Sequence, residues 1–140
     1  MRDRVQAGFG AIEKERILAE DDLFTVACDK YPVSPGHTLV IVKRPVARFR
    51  DLTAHEKARL LQWLDWAVAH LQTTLQPSPD GFNVGTNDGP AAGQTIPQHH
   101  WHIIPRYAGD VPDPRGGIRF VIPEKARYWQ PHPGRNLDGE

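Results

Sequence analysis

The chain has 140 residues, of which 39% are hydrophobic and 24% charged, and its 17 basic residues balance 17 acidic ones. This length and composition predict one globular domain over residues 1–140 with a hydrophobic core of its own. A formal net charge of zero argues against binding to a nucleic acid polymer and against an electrostatic membrane anchor. No apolar run approaches the ~20 residues that a transmembrane helix needs, so no membrane partner is expected.

Cys28 is the only cysteine, which excludes an internal disulfide and a thiolate-rich metal site within one chain. The first ten residues lack the apolar segment of a signal peptide. Together these features predict a cytoplasmic protein.

The first part of the chain is predicted to form short strands. A loose polar start with one helical turn near 12–16 leads into three candidate strands, at 17–20, 23–28 and 37–43. The link at 31–36 contains two prolines and a glycine, which are typical of a turn. The second and third strands are therefore expected to form an antiparallel pair.

One long helix is predicted over 53–75. Thr53 and Glu56 have the spacing of a capping box, in which each side chain accepts from the other's free backbone N–H. An apolar stripe at helical spacing follows, formed by Leu60, Leu64, Ala67 or Val68, Leu71 and Leu75. Two prolines, Pro77 and Pro79, prevent the helix from continuing.

The second half of the chain is predicted to return to strands, at 82–84 and 98–105. A short strand is expected at 119–122, within a proline-rich and otherwise irregular tail. Strands, one helix and further strands predict an α+β fold in which the helix covers an antiparallel sheet.

Three histidines, His99, His100 and His102, lie in the first half of the predicted strand at 98–105. Because side chains alternate between the two faces of a strand, Gln98, His100 and His102 share one face and His99 shares the other with Trp101. Two neutral imidazoles at i and i+2 can supply a nucleophile and a proton donor to one reaction centre. His99 is expected to be a structural residue.

The same pattern of histidines is compatible with two other interpretations. His-X-His on a strand can hold a metal ion, with a third ligand from His37 or a carboxylate. The histidines can also be structural, with their nitrogens hydrogen-bonded inside a polar sheet face. The preceding loop at 87–95 favours the catalytic reading, because its small residues let backbone amides approach an anion such as phosphate.

Three stretches resemble the histidine triad (HIT) superfamily. They are the loop at 87–95 with Asn83 and Gly85, the strand at 100–106, and the upstream pair at 31–37 and 43–44. The stretch at 109–117 resembles the diadenosine polyphosphate hydrolase and fragile-histidine-triad-like branch of that superfamily. The resemblance implies a core at about 16–107, an irregular tail at 108–140, and a five-stranded antiparallel sheet that pairs in a homodimer to give ten strands.

The resemblance also implies an activity. His100 would attack the α-phosphorus of a nucleotide to form a covalent nucleotidyl-histidine, and His102 would contact the phosphate or the leaving group. The substrates would be dinucleoside polyphosphates or nucleoside phosphoramidates, with no cofactor beyond Mg²⁺ carried by a polyphosphate. The other substrate-binding positions would be Asp29, His37, Asn87, Gly93, Gln94 and Thr95, with Asp29 on the ribose and Asn87 on phosphate.

One position departs from the family pattern. Gln98 stands where the first histidine of the triad is expected, and the resemblance implies that its carbonyl supports His100 while its side chain meets His37. Glutamine keeps the carbonyl but cannot titrate, so we expect catalysis to survive. The alternatives are a nucleotide-binding regulatory protein with little turnover and a metal-dependent hydrolase. No structural zinc is expected, because the cysteine pairs that bind zinc in some relatives are absent.

Overall fold

The computed structural model describes residues 8–131. Its sheet has five antiparallel strands: β1 (Ile17–Glu20), β2 (Phe24–Cys28), β3 (Thr38–Val42), β4 (Gly81–Gly85) and β5 (His100–Arg106). Their order across the sheet is β1-β2-β3-β5-β4. One long helix, α1 (Ala54–Thr74), connects β3 with β4. The predicted α+β fold, with a five-stranded antiparallel sheet and one long helix, is confirmed.

The core lies between the central strands and α1. All five residues of β3 are buried, as are four of the five residues of β2. The buried cluster comprises Phe24, Val26, Val40, Val42, Leu52, Leu60, Ala67, Leu71 and Ile103. Burial of each large aliphatic side chain stabilises the fold by ~1.5–3 kcal/mol. The central strands therefore form a rigid support for the side chains on the other face of β5.

The predicted capping box begins α1. The Glu56 N–H donates to Thr53 Oγ1 at 3.0 Å, and the Thr53 N–H donates to Glu56 Oε1 at 2.8 Å. Glu56 is only 3% exposed and also accepts two hydrogen bonds from Arg44 at 2.9 Å. The start of α1 is thus fixed both to its own cap and to the segment that follows β3.

A second compact unit begins at Ala108. The strand predicted at 119–122 is wrong: a 3₁₀ turn at Gly117–Val121 leads into a short helix, α2 (Pro123–Ala126). Gly116 and Gly117 turn the chain with φ of 89° and 39°, and Pro123 has no N–H for a sheet ladder. The predictions for residues 1–7 and 132–140 lie outside the described residues.

Asp21 links β1, β2 and α1. Its Oδ1 accepts from the Leu23 and Phe24 N–H groups, and its Oδ2 accepts from Arg59 and Trp63. Burial of the carboxyl opposes ionisation, but these hydrogen bonds outweigh it and lower the pKa of Asp21 from 3.8 to about 2.

A lowered carboxyl pKa stabilises the fold at a pH above the unfolded value and loses that effect as the pH falls through the folded value. We expect Asp21 to contribute about 2 kcal/mol to the free energy of unfolding above pH ~4, and to lose it toward pH 2. Urea titrations across this range should show a shallower pH dependence for Asp21→Asn than for the unmodified protein. The exposed control Asp65→Asn should keep the original slope, and an equal slope in Asp21→Asn would contradict the prediction.

No helix in the described range 8–131 is long and apolar enough to cross a membrane.

Candidate active site

Strand β5 carries the two histidines of the candidate site. His100 lies opposite Ile41 of β3, and His102 lies opposite Leu39 of β3 and Gly85 of β4. Because the two residues are separated by one position, their rings share a face, with centroids 5.3 Å apart. The predicted pairing of His100 with His102 on one face is therefore present.

The hydrogen bond of His100 fixes which of its nitrogens carries the proton. Its Nδ1 lies 2.8 Å from the carbonyl oxygen of Gln98. A carbonyl can only accept, so Nδ1 carries the hydrogen and the neutral ring keeps a lone pair on Nε2. His100 is thus held in the tautomer that a nitrogen nucleophile requires.

A chain of hydrogen bonds fixes the opposite tautomer in His102, with the proton on Nε2. The Val33 N–H donates to His37 Nδ1 at 3.1 Å, so the proton of neutral His37 is on Nε2. That N–H donates to His102 Nδ1 at 2.9 Å, which leaves the His102 proton on Nε2. Asp29 Oδ2 lies 3.4 Å from His37 Nε2 and favours the same arrangement. His102 therefore presents a donor where His100 presents a lone pair.

Burial keeps these three rings neutral. It lowers the pKa of His100 and of His37, although the Gln98 carbonyl and Asp29 respectively oppose the shift. The pKa of His102 falls to about 4, through burial first and then through the neighbouring His100 and His37. The two tautomers described above are thus the forms that exist near neutral pH.

The side chain of Gln98 does not make its predicted contact with His37. Its Nε2 donates to the Val42 carbonyl at 2.6 Å, and its Oε1 accepts from the Phe9 N–H at 3.0 Å. The prediction fails because β5 begins only at His100, so the strand alternation does not extend back to position 98. His37 contacts His102 instead, while the carbonyl of Gln98 does contact His100, as expected.

Loop 87–95 folds around a 3₁₀ turn at Pro90–Ala92. Gly89 and Gly93 have φ of 103° and 96°, a conformation that favours glycine. Gln94 accepts from the Gly89 N–H through Oε1 and donates through Nε2 to the carbonyls of Ala47 and Ile96. Its backbone N–H also bonds to Gly89. Gln94 therefore shapes the loop, and its contact with a substrate stays a prediction.

A cavity of about 400 Å³ opens above the two histidines. Seven of the nine predicted site residues line it, namely Asp29, Asn87, Gly93, Gln94, Thr95, His100 and His102, whereas His37 and Gln98 lie behind it. Over residues 8–131, the Asn87 carboxamide and the N–H groups of Thr95 and Ile96 have no hydrogen-bond partner. These three donors are available to an anion, and Asp29 Oδ1 is already bonded to the Tyr31 N–H at 2.7 Å.

Residues of the first half of the chain that the sequence analysis did not select also line the cavity. They are Gly8, Phe9, Ala11, Glu13, Arg16, Lys30, Tyr31 and Leu39. Phe9 lies against His100, with the centroids of the two rings 4.8 Å apart. An aromatic residue between Gly8 and Gly10 in a polar stretch was the only available signal, and it falls outside any predicted element.

Asp29, His37 and His102 form a group whose potential ligand atoms lie within 4.8 Å of one another. Both nitrogens of His37 and one nitrogen of His102 are already hydrogen-bonded. A metal ion held by His37 in this group would have to replace one of its two hydrogen bonds, either that from Val33 or that to His102. The prediction of a site without metal stays a prediction.

Comparisons with known proteins identify a family and relatives that resemble this chain. The model of the HIT domain family matches residues 12–109. AP-4-A phosphorylase of Mycobacterium tuberculosis is 35% identical over 100 residues, which cover 71% of this chain and 50% of the relative. The asymmetrical bis(5'-nucleosyl)-tetraphosphatase of Schizosaccharomyces pombe is 42% identical over 81 residues, 56% of this chain and 42% of the relative.

A solved structure supports the same relationship. The NitFhit protein of C. elegans superposes with a TM-score of 0.69 and 34% identity, over 85% of this chain and 27% of that chain. The chain spans about half the length of the curated relatives described above. With a family model matched over most of its described residues, the chain belongs to the HIT domain family.

Proposed function

We propose that this protein is a nucleotide hydrolase or nucleotidyl transferase that cleaves dinucleoside polyphosphates or nucleoside phosphoramidates at the α-phosphate. The observation that carries the proposal is the opposed tautomers of His100 and His102 at the floor of one cavity. The names of the two curated relatives, an AP-4-A phosphorylase and a bis(5'-nucleosyl)-tetraphosphatase, support dinucleoside polyphosphates as one of these substrate classes.

In the proposed first step, His100 Nε2 attacks the α-phosphorus. The N–P bond forms while the bond from phosphorus to the bridging oxygen or nitrogen breaks, and the leaving group takes that electron pair. The ring becomes positively charged, and its Nδ1–H remains bonded to the Gln98 carbonyl, whose dipole favours the charge. His102 Nε2–H would donate to the phosphate or the leaving group.

In the second step, water or another acceptor attacks the same phosphorus. The O–P bond forms as the N–P bond breaks, the nucleotide is released, His100 regains its lone pair, and the proton of the attacking O–H passes to the solvent. Asn87 and the amides of Thr95 and Ile96 would bind the phosphate oxygens throughout, since backbone and carboxamide N–H groups stabilise developing negative charge without reorganising. A Mg²⁺ ion would enter only as a partner of a polyphosphate substrate.

We further propose that the protein is a homodimer. Strands β1 and β4 are the two edges of the sheet, and an edge strand has backbone groups free to pair with another chain. Pairing of one edge with the same edge of a second copy would give a ten-stranded sheet with twofold symmetry. Light scattering after gel filtration tests this directly: a mass near the 15.8 kDa of one chain would contradict it.

The lowered pKa of His100 predicts the pH dependence of the proposed activity. A group with a lowered pKa stays neutral to a lower pH, so His100 remains nucleophilic below the ordinary value of 6.5. We expect the acidic limb of kcat/KM to be centred below pH 6.5. An acidic limb centred at or above pH 6.5 would contradict the prediction.

The proposed function is tested by incubating the protein with diadenosine tetraphosphate and, separately, with adenosine phosphoramidate. We expect chromatography to show release of adenosine monophosphate in at least one case. Binding of both nucleotides without any product would instead support a nucleotide-binding regulatory protein. Activity on adenosine phosphoramidate, which carries no polyphosphate, that is abolished by a chelator would favour the metal-dependent hydrolase.

A further inference from the structure

The segment at 8–12 forms one wall of the cavity and makes a single hydrogen bond to the rest of the described chain. Gly8, Phe9 and Ala11 of this segment line the cavity. The Phe9 N–H donates to Gln98 Oε1 at 3.0 Å. No other residue of the segment makes a hydrogen bond to any residue within 8–131. The position of this wall therefore depends on Gln98.

The other end of the Gln98 carboxamide is anchored in the core. Its Nε2 donates at 2.6 Å to the carbonyl of Val42, a residue of β3 with no exposed surface. A carboxamide presents a donor and an acceptor in one rigid planar group, so Gln98 can satisfy both contacts at once. A fixed point of the sheet is thereby connected to the start of the described chain.

The residue held in this way lies against the proposed nucleophile. The ring of Phe9 is perpendicular to the imidazole of His100, with centroids 4.8 Å apart. An apolar edge in this position excludes water from one side of the imidazole and restricts its rotation. Loss of the wall would expose His100 to solvent while its bond to the Gln98 carbonyl remained.

We infer that Gln98 is a positioning residue that acts on His100 from two directions: its carbonyl orients the imidazole, and its side chain fastens Phe9 against the same ring. This inference rests on the proposed function of His100 and deepens it. This role of residue 98 does not require a titratable side chain. Glutamine fits the role because its carboxamide both donates and accepts a hydrogen bond and stays uncharged.

The pKa of His100 should respond to the contact between its imidazole and the Phe9 ring. Among residues 8–131, the other titratable and charged groups that line the cavity beside His100 are Glu13, Arg16, Asp29, Lys30, Tyr31 and His102, with His37 bonded to His102. A substitution at position 98 or position 9 leaves all of these residues in place. A changed titration of His100 would therefore reflect the loss of Phe9 from its side.

The test compares Gln98→Leu and Phe9→Ala with the unmodified protein, without any substrate. We expect the NMR-monitored pKa of His100 to rise by about half a unit or more in both variants, because burial is what lowers it. The Phe9 amide should exchange with deuterium at least about tenfold faster in Gln98→Leu. The matched control Gln62→Leu, at an exposed helix position, should change neither quantity.

Kinetics supply a second measurement. If both side chains act through one contact, the double variant Phe9→Ala/Gln98→Leu should lose no more kcat/KM than the more damaging single variant. Unchanged His100 titration and unchanged Phe9 exchange in Gln98→Leu would overturn the inference, as would fully additive losses. Because titration and exchange need no turnover, this failure is distinguishable from a failure of the proposed function.

Discussion

Replacing His100 with alanine should abolish turnover while leaving the nucleotide bound. The variant removes the Nε2 lone pair that forms the N–P bond, and no second imidazole can take its place because His102 Nε2 carries a proton. We expect kcat to fall by at least about 10⁴-fold, the scale seen when a covalent nucleophile is lost. The affinity for adenosine monophosphate should change by less than about threefold, since the phosphate donors of Asn87, Thr95 and Ile96 remain.

The matched control is His55→Ala, which removes an exposed histidine of α1. Single-turnover kinetics and calorimetric binding should give the unmodified values for this control. If His100→Ala kept more than about a tenth of the activity, His100 would not be the nucleophile. If instead it lost binding as well as turnover, the loss of activity would no longer identify the chemical step.

The second large effect is on stability and concerns Glu56. Replacing it with alanine removes an acceptor that bonds Arg44 twice and the Thr53 N–H once, in a position that is 3% exposed. The Arg44 side chain is 46% exposed and can be rehydrated, whereas the start of α1 loses half of its capping box. We expect the free energy of unfolding to fall by about 3 kcal/mol.

Urea denaturation measures this loss, and two further variants define its origin. Glu56→Gln keeps one acceptor but removes the charge, so it should lose only about half as much as Glu56→Ala. The exposed control Glu15→Ala should remain within about 0.5 kcal/mol of the unmodified protein. A loss below about 1 kcal/mol in Glu56→Ala would show that the cap and the ion pair contribute little to the fold.

The sheet and the long helix could be predicted because their signals are local. The Thr53 cap and the leucine stripe define α1 within a few turns, and the β-branched run of β3 is typical of a buried strand. The strand predicted at 119–122 failed because its apolar residues favour a strand only when a partner strand is available. Gly116, Gly117 and Pro123 instead turn that segment into a 3₁₀ turn and a short helix.

The site was predictable where it depended on strand alternation and not where it depended on long-range contacts. His100 and His102 share a face because they are two residues apart on one strand. The contact of His37 with His102 joins positions 65 residues apart, and that of Phe9 with Gln98 joins positions 89 apart. No local pattern encodes such pairs. The error at Gln98 has the same origin, since the exact start of β5 decides which way its side chain points.

The most direct measurement is the mass of the intact protein, quenched within milliseconds of mixing with diadenosine tetraphosphate. The account predicts an added adenylyl group on the unmodified protein and on His55→Ala, located at His100 by peptide mapping and absent from His100→Ala. Release of adenosine monophosphate without any adduct, or an adduct that persists in His100→Ala, would contradict covalent catalysis through His100.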